Sequence, residues 1–153
     1  MNFDGAVFRE IQRARVGVVV WNAEGCVLVS TAETFHLPFS VAVVEVIAAR
    51  KALQFAKDIG LSSIILEGDS KIAIDGLKSM NSFLNEYVHL LVEAKEVADQ
   101  MDAVEFQHMP RQVNKSAHNI ARHAKYVSEF TVWMEDVPPK LVSVIQADST
   151  IHQ

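Results

Sequence analysis

Three carboxylates lie in apolar surroundings, and together they could bind a divalent cation. Asp4 lies in a short apolar segment, Glu45 has four apolar residues on each side, and Asp69 follows the strongest strand pattern of the chain. Burying an unpaired carboxylate is costly, so buried acids are usually paired with a cation. Three such acids would repel one another unless a metal neutralised them, and Mg²⁺ prefers oxygen ligands of this kind.

Each acid also has an ordinary structural interpretation. Asp4 could cap a turn with Gly5, and Glu45 could lie on the solvent face of an Ala-rich helix. Asp69 could be the N-cap of the helix that follows it. Glu67 shares strand parity with Asp69, and we interpret it as a bystander. The residue pattern alone therefore leaves the metal cluster as the less favoured hypothesis.

The predicted elements indicate where in the fold a ligand site should lie. Three strands, then a helix, a strand, two helices, a strand and a final helix indicate a mixed sheet flanked by helices. Ligands bind such sheets near the carboxyl ends of strands and at topological switch points. The predicted elements are strands over Asn2–Ala6, Val16–Trp21, Cys26–Thr31, Ser62–Gly68 and Val104–Met109, a helix capped by Ser40 and ending near Asp58, and helices over Lys71–Met80, Asn85–Met101 and Ser116–Val127.

Length and composition suit one domain with one hydrophobic core. Half of the 153 residues are hydrophobic, which excludes a disordered tail. The single Cys26 excludes an intrachain disulfide framework and a multi-cysteine zinc site. We assign residues 1–130 to the domain and 131–153 to a C-terminal extension of uncertain structure.

The charge balance and the apolar runs limit partners and location. With 14 Lys+Arg and 19 Asp+Glu the net charge is −5, which argues against a protein that coats nucleic acid tightly. No secretory signal is visible, and no apolar run approaches the roughly 20 residues that span a bilayer. We expect an intracellular protein, nuclear or cytoplasmic, that is neither secreted nor bound to membranes.

Four motifs in order resemble the ribonuclease H family. They are NFDGA before a Val-rich hairpin, Glu45 in an Ala/Val-rich helix, LEGDS at a strand end, and FQHMPRQVNKSAHNIARHA leading into the last helix. The resemblance covers about residues 2–127 and is to the plant-type, reverse-transcriptase-like ribonuclease H domains in particular. It implies an α/β fold with a five-stranded mixed sheet, whose second strand is antiparallel to its neighbours, flanked by helices.

The resemblance also implies an activity and a set of catalytic residues. These enzymes are endonucleases that hydrolyse the RNA strand of RNA–DNA hybrids with two Mg²⁺ ions, and Mn²⁺ is an alternative cation. Asp4 resembles the carboxylate that bridges both ions, and Glu45 and Asp69 resemble the ligands that complete the second ion's site. His108 lies where the family can carry a mobile histidine that assists the attacking water or product release.

Substrate contacts follow from the same resemblance. Asn114 matches the Asn that precedes the last helix, and Arg111 matches a pattern of the plant-type domains. We predict that Arg111, Asn114, Lys115 and Lys71 contact substrate, with Arg122 as a further candidate for the nucleic-acid backbone. Each of the cations could equally be ordinary surface charge.

His118 is the departure from the family, because it stands where the family carries its fourth catalytic carboxylate, four residues after Asn114. Neutral imidazole is a poorer Mg²⁺ ligand than carboxylate and suits Mn²⁺ better. The exchange also removes one negative charge from the cluster. Two outcomes follow: a weakened nuclease that favours Mn²⁺, in which His118 still takes part in catalysis, or an inactive module that binds nucleic acid or protein. His118 could also be simply a helix residue packed near the sheet end.

The predicted helix over Asn85–Met101 is a poor phosphate clamp. It carries Lys95 against four acidic residues, namely Glu86, Glu93, Glu96 and Asp99. The sequence also lacks the basic, Trp-containing substrate handle of some ribonucleases H. We therefore expect weak binding of nucleic acid by the domain alone, and a tethering protein or a larger parent polypeptide as partner.

Overall fold

The computed structural model describes residues 1–79, 88–123, 129–136 and 141–149, which form a mixed sheet with helices on both faces. The strands are β1 (Asn2–Phe8), β2 (Arg13–Trp21), β3 (Val27–His36), β4 (Ser63–Gly68), β5 (Ala103–His108) and β6 (Phe130–Met134). The helices are α1 (Val41–Asp58), α2 (Lys71–Ser79), α3 (Val88–Asp99), α4 (Lys115–His123) and α5 (Val142–Ser149). Short 3₁₀ turns cover Arg9–Ile11 and Arg111–Val113.

The strand order is β5-β4-β1-β2-β3-β6. β1 and β5 both run parallel to β4, whereas β2 is antiparallel to β1 and β3. The predicted α/β class and the antiparallel second strand are therefore confirmed. Strand directions change at β1, and this is the switch point where the sequence predicts a ligand.

The predicted count of five strands is wrong by one, because β6 pairs antiparallel with the outer edge of β3. β6 is only five residues long and spans the boundary predicted at residue 130. Parts of three predicted helices, at residues 80, 85–87 and 124–127, lie outside the described residues.

Two layers of helix pack on the sheet and position the acids. α1 packs on β1 and β2, and α3 packs against α1. This side of the sheet contains the largest cluster of buried apolar side chains. α4 packs on the opposite face against β1 and β2, and α5 packs on α4. Ser40 caps α1 as predicted, since its hydroxyl accepts a hydrogen bond from the Val43 N–H (3.3 Å). In the part of the chain that the structure describes, no helix is long and apolar enough to cross a membrane.

Gly17 allows α4 to approach β2 closely. A Cβ at this position would lie 2.3 Å from the Ala121 backbone N and 2.4 Å from the Ala117 carbonyl O. His118 lies between these two residues in α4. We expect Gly17→Ala to lower the free energy of unfolding by about 3 kcal/mol, because helix backbone must move. Urea denaturation measures this cost.

Gly60→Ala is the matched comparison for that substitution. Gly60 has a φ of +85° but nothing within 4 Å of its missing Cβ. Alanine there should cost only about 1 kcal/mol, from the left-handed backbone alone. Equal costs for the two variants would contradict the close helix approach at Gly17.

Candidate functional site

The three acids singled out in the sequence meet at one place. One carboxylate oxygen from each of Asp4, Glu45 and Asp69 lies within 4.8 Å of the others. Asp4 comes from β1, Glu45 from the second turn of α1, and Asp69 directly follows β4. They lie at the carboxyl end of β4, beside the strand at which the sheet changes direction.

The acids are buried rather than placed on a solvated surface. Asp4 is 1% exposed and Glu45 is 8% exposed, so the solvent-face interpretation of Glu45 is wrong. The alternative role of Asp69 as helix cap is filled by Ser70, whose hydroxyl accepts from the Ala73 N–H (3.3 Å). Asp4 and Gly5 pair with β2 inside the sheet rather than forming a turn, so each acid lacks the ordinary role that competed with metal binding.

Gly5 allows Glu45 to reach Asp4. A Cβ at Gly5 would lie 2.8 Å from Val44 Cγ1 and 3.3 Å from Glu45 Oε1, so any side chain there would push α1 away from β1. The backbone N–H of Gly5 also donates a hydrogen bond to the Glu45 carboxylate. Glycine follows Asp4 in the NFDGA motif because a larger residue would collide with α1.

The cluster carries unsatisfied oxygens. Asp4 Oδ1 and Glu45 Oε2 are buried without a hydrogen-bond partner among the described residues. Burial, reinforced by the charges of Asp4 and Asp69, raises the pKa of Glu45 to about 9. Burial also raises the pKa of Asp4, although the His118 hydrogen bond opposes the shift. Orphaned carboxylate oxygens that converge in this way fit a hard divalent cation.

The raised pKa of Glu45 makes a prediction for the metal-free protein. Because the folded-state pKa of about 9 lies above the ordinary value of 4.5, stability is full below pH 4.5 and is lost as pH rises towards 9. We expect Glu45→Gln in EDTA to raise the free energy of unfolding at pH 8 by about 1–3 kcal/mol, because Gln is neutral in both states whereas Glu45 must take up a proton to fold. Thermal unfolding at pH 5 and pH 8 measures this difference.

Added Mg²⁺ supplies the control for that prediction. At pH 8 it should raise the unfolding temperature of the wild type and leave Glu45→Gln nearly unchanged. A Gln variant that is less stable than the wild type in EDTA at pH 8 would contradict the buried, unpaired state of Glu45.

His118 lies in the cluster. Its Nδ1 is 2.7 Å from Asp4 Oδ2, and its ring is partly exposed on α4. The imidazole is therefore the hydrogen-bond partner of Asp4 Oδ2, and Asp4 Oδ1 is the oxygen left without a partner among the described residues. The interpretation of His118 as an unrelated packed helix residue is not supported.

Arg111 and His108 border the cluster on the side of Asp69. Arg111 Nε donates to Asp69 Oδ2 (3.2 Å), and this contact raises the pKa of the guanidinium. His108 Nε2 lies 3.3 Å from the Asp69 carbonyl O. Both side chains are exposed, so they could meet a substrate that approaches the acids.

Asn114 is buried and does not face solvent, so its predicted contact with substrate is not supported by its position. Its Nδ2 donates to the Phe3 carbonyl O (2.9 Å), and its Oδ1 accepts from Asn2 Nδ2 (3.1 Å). Asn2 also accepts a hydrogen bond from Trp21 Nε1 (2.9 Å). These contacts fix the start of α4 on β1. Asn2 was missed from the sequence, which offers no signal for it beyond its closeness to Asp4.

The predicted lysine contacts are exposed helix residues. Lys71 Nζ pairs with Asp75 Oδ2 (2.8 Å) one turn along α2. Lys115 opens α4, and Arg122 lies in its last turn. Their solvent-facing positions are compatible with substrate contact and equally with ordinary surface charge.

The sheet order and the placement of the acids define a ribonuclease H-like domain. The chain belongs to the family described as "Reverse transcriptase-like", whose model matches residues 2–124. No curated protein matches the chain significantly. The resemblance to ribonuclease H is thereby confirmed.

Solved ribonuclease H structures are similar to it. Ribonuclease H1 of the halophilic archaeon Halobacterium salinarum is 26% identical with a TM-score of 0.73, covering 82% of this chain and 95% of that one. A Mycobacterium tuberculosis ribonuclease H domain, fused to maltose-binding protein, is 23% identical with a TM-score of 0.69, covering 80% and 88%. LC11 ribonuclease H1, isolated from compost and crystallised with an RNA/DNA hybrid, is 17% identical with a TM-score of 0.71, covering 83% and 97%. The last two support the fold alone.

Proposed function

We propose that this domain is a divalent-metal-dependent endonuclease that hydrolyses the RNA strand of RNA–DNA hybrids by a two-metal mechanism. The observation that carries the proposal is the convergence of Asp4, Glu45 and Asp69 with two buried, unpartnered oxygens. Family membership supports nuclease activity on hybrids at the family level. The hybrid bound to LC11 ribonuclease H1 supports the class of substrate.

The side chains of the cluster each have a part in holding the cations. Asp4 offers Oδ1 while His118 holds its other oxygen, and Glu45 binds after losing its proton. Arg111 orients the Asp69 carboxylate. Bound divalent cations would supply Lewis-acid activation of water and stabilisation of the leaving oxygen. We propose Mg²⁺ because all three ligands offer oxygen, with Mn²⁺ favoured to the extent that the His118 imidazole takes part.

Hydrolysis would add water across the bond between phosphorus and the 3′ oxygen, leaving 5′-phosphate and 3′-hydroxyl ends. No covalent intermediate with the protein is required. Contacts to 2′-hydroxyls across the shallow minor groove would distinguish RNA from DNA. The exposed Arg111, Lys115 and Lys71 are the proposed contacts to the backbone, and His108, which borders the carboxylates, is the residue proposed to assist the attacking water or product release.

The contact between His118 and Asp4 favours a second candidate function. In it the domain keeps the fold but has lost catalytic power, and acts as a module that binds nucleic acid or protein. An imidazole supplies no negative charge and occupies an oxygen that a cation could otherwise share. His118→Asp distinguishes the two functions when it is compared with the wild type: a gain over an inert wild type identifies the inactive module, whereas a weakened nuclease already cuts without the substitution.

We further propose that the domain acts inside the cell, in the nucleus or cytoplasm, through a tethering partner or as part of a longer polypeptide. The net charge of −5 supports weak intrinsic affinity for nucleic acid. Fusing the domain to an unrelated hybrid-binding module should lower KM for a hybrid and leave kcat nearly unchanged.

A cleavage assay tests the proposed activity. A hybrid with a labelled RNA strand is incubated with the protein in Mg²⁺, in Mn²⁺ or in EDTA. We expect cleavage with either cation and none in EDTA. Equal cleavage in EDTA would contradict the role of the carboxylates as metal ligands.

A further inference from the structure

Three of the six arginines of this acidic chain lie at the turn between β1 and β2. We call Arg9, Arg13 and Arg15, with His36 of the neighbouring strand, the arginine corner. Arg15 pairs across the sheet with Ala6, and Arg13 pairs with Phe8 and His36. The corner is separate from the carboxylate cluster and from the lysines already considered as substrate contacts.

Within the described residues the arginines of the corner have no ion pair, as also holds for Lys115 and Arg122, whereas four other cations are paired. Arg50 pairs with Glu93 (3.1 Å), Arg111 with Asp69 (3.2 Å) and Lys51 with Glu33 (2.6 Å). Among the residues that the structure describes, no carboxylate lies within ion-pair distance of Arg9, Arg13 or Arg15. Arg13 Nη1 instead donates to His36 Nδ1 (2.8 Å), and Glu10 in the same turn pairs with none of them.

Arg15 is the most unusual member of the corner. It is 6% exposed, and its guanidinium carbon lies 4.5 Å from the centre of the Phe8 ring. Among the residues that the structure describes, its buried Nε and Nη1 have no hydrogen-bond partner. Burial of a guanidinium without an anion is destabilising, and an anionic ligand could reach this group only at Nη2, the nitrogen that is not closed to solvent.

The corner lies further along β1 from the acids, on the same face of the sheet, where Ala6 and Phe8 pack against Ala121 of α4. Asp4 and Ala6 are two residues apart on the same face of β1, so the Arg15 register position is about 7 Å along the strand from Asp4. Arg13 lies a further two residues away on that face. A duplex centred on Asp4 extends well beyond this distance.

An exposed aromatic ring lies in the loop beside the corner. The Leu37 N–H donates to the Gln12 carbonyl O (3.2 Å), which holds the loop after β3 against the turn. Two residues on, the Phe39 ring is fully exposed. Guanidinium groups suit the phosphates of a nucleic acid, whereas the base faces of a hybrid duplex are stacked and are not offered to the ring.

We propose that the arginine corner binds the phosphodiester backbone of the nucleic acid, in place of the basic segment that α3 lacks. The planar guanidinium fork matches phosphate geometry. The identity of the ligand as the RNA–DNA hybrid rests on the proposed function. The corner supplies the positive charge that the overall balance of the chain does not.

Binding of a labelled RNA–DNA hybrid in EDTA, followed by fluorescence anisotropy over a range of salt, tests the proposal without any cleavage. Arg9→Gln with Arg13→Gln should weaken binding about tenfold and reduce the salt slope by about 2, because two phosphate contacts are lost. Arg50→Gln is the matched control and should leave both unchanged. Equal behaviour of the double variant and the control would overturn the proposal.

A second measurement separates binding from folding. Arg15→Met keeps the bulk over Phe8 but removes the buried charge. It should raise the unfolding temperature by about 2–4 °C and still weaken hybrid binding, as expected for a residue kept for its ligand. A lower unfolding temperature with unchanged binding would show that Arg15 is only structural. Competition by polyglutamate as strong as that by hybrid would overturn the assignment to nucleic acid.

Both measurements are independent of whether the domain cuts its ligand. Loss of hybrid affinity in the arginine variants would support the corner even if Asp4→Asn left cleavage untouched. Conversely, a metal-dependent nuclease with an unaffected double variant would retain the proposed function and lose the corner.

Discussion

Asp4→Asn is expected to reduce Mg²⁺-dependent cleavage of an RNA–DNA hybrid by about 10³-fold or more, corresponding to about 4 kcal/mol of transition-state stabilisation. Asp4 lies at the centre of the cluster, with one oxygen held by His118 and the other buried and unpartnered. An amide can keep the hydrogen bond to His118, yet it cannot supply the charge that holds a cation. Single-turnover cleavage with the protein in excess measures the loss.

The control for this experiment is Asp58→Asn. Asp58 ends α1 on the surface and accepts a hydrogen bond from Gln54 Nε2 (2.8 Å), so it should keep full activity. Asp69→Asn should behave like Asp4→Asn, because Asp69 offers an oxygen to the same cluster. Full activity in either cluster variant, with the fold intact by circular dichroism, would refute the assignment of the site.

His118→Asp is expected to increase Mg²⁺-dependent cleavage by about 10–100-fold, the range over which residues around a metal site tune activity. The new carboxylate would restore a negative charge and a hard oxygen ligand beside Asp4. The preference for Mn²⁺ over Mg²⁺ should fall in the same variant, since the soft ligand is gone. Initial rates in each cation, for wild type and variant, give both quantities.

His89→Asp serves as the matched control for that variant. His89 is exposed on α3, so the same exchange there should change neither the rate nor the cation preference. A gain in His118→Asp over an inert wild type would identify the native domain as a non-catalytic module. A loss of activity in His118→Asp would instead mean that the imidazole itself serves catalysis.

The three acids could be singled out from the sequence because each has apolar surroundings, but only the resemblance to ribonuclease H favoured their convergence on a metal. Asp4 and Asp69 lie in strand patterns that any mixed sheet brings to one edge, and Glu45 lies in an apolar helix stretch. For Asp69, the neighbouring sequence could not decide between a metal ligand and an ordinary helix cap. Asp69 and Ser70 are equally good caps by type, and only the structure shows that Ser70 takes the role.

Other features depend on partners far away in the chain and could not be predicted. β6 is a strand because the outer edge of β3 is available to it, and its own five residues give a weak pattern. Asn114 was predicted to contact substrate. Its side-chain amide instead makes hydrogen bonds to Asn2 and Phe3, more than one hundred residues earlier in the chain. Burial of Arg15 over Phe8 likewise follows from strand pairing, which residue type does not indicate.

The central claim is that the domain cuts RNA paired with DNA, and the most direct measurement follows each strand separately. Wild-type protein is incubated with Mg²⁺ and, in parallel, an RNA–DNA hybrid, an RNA duplex, a DNA duplex and single-stranded RNA, all end-labelled. We predict internal cleavage of the RNA strand of the hybrid alone, with 5′-phosphate and 3′-hydroxyl ends. Cleavage of the DNA strand, or no cleavage by wild type and His118→Asp in either Mg²⁺ or Mn²⁺, would contradict the account.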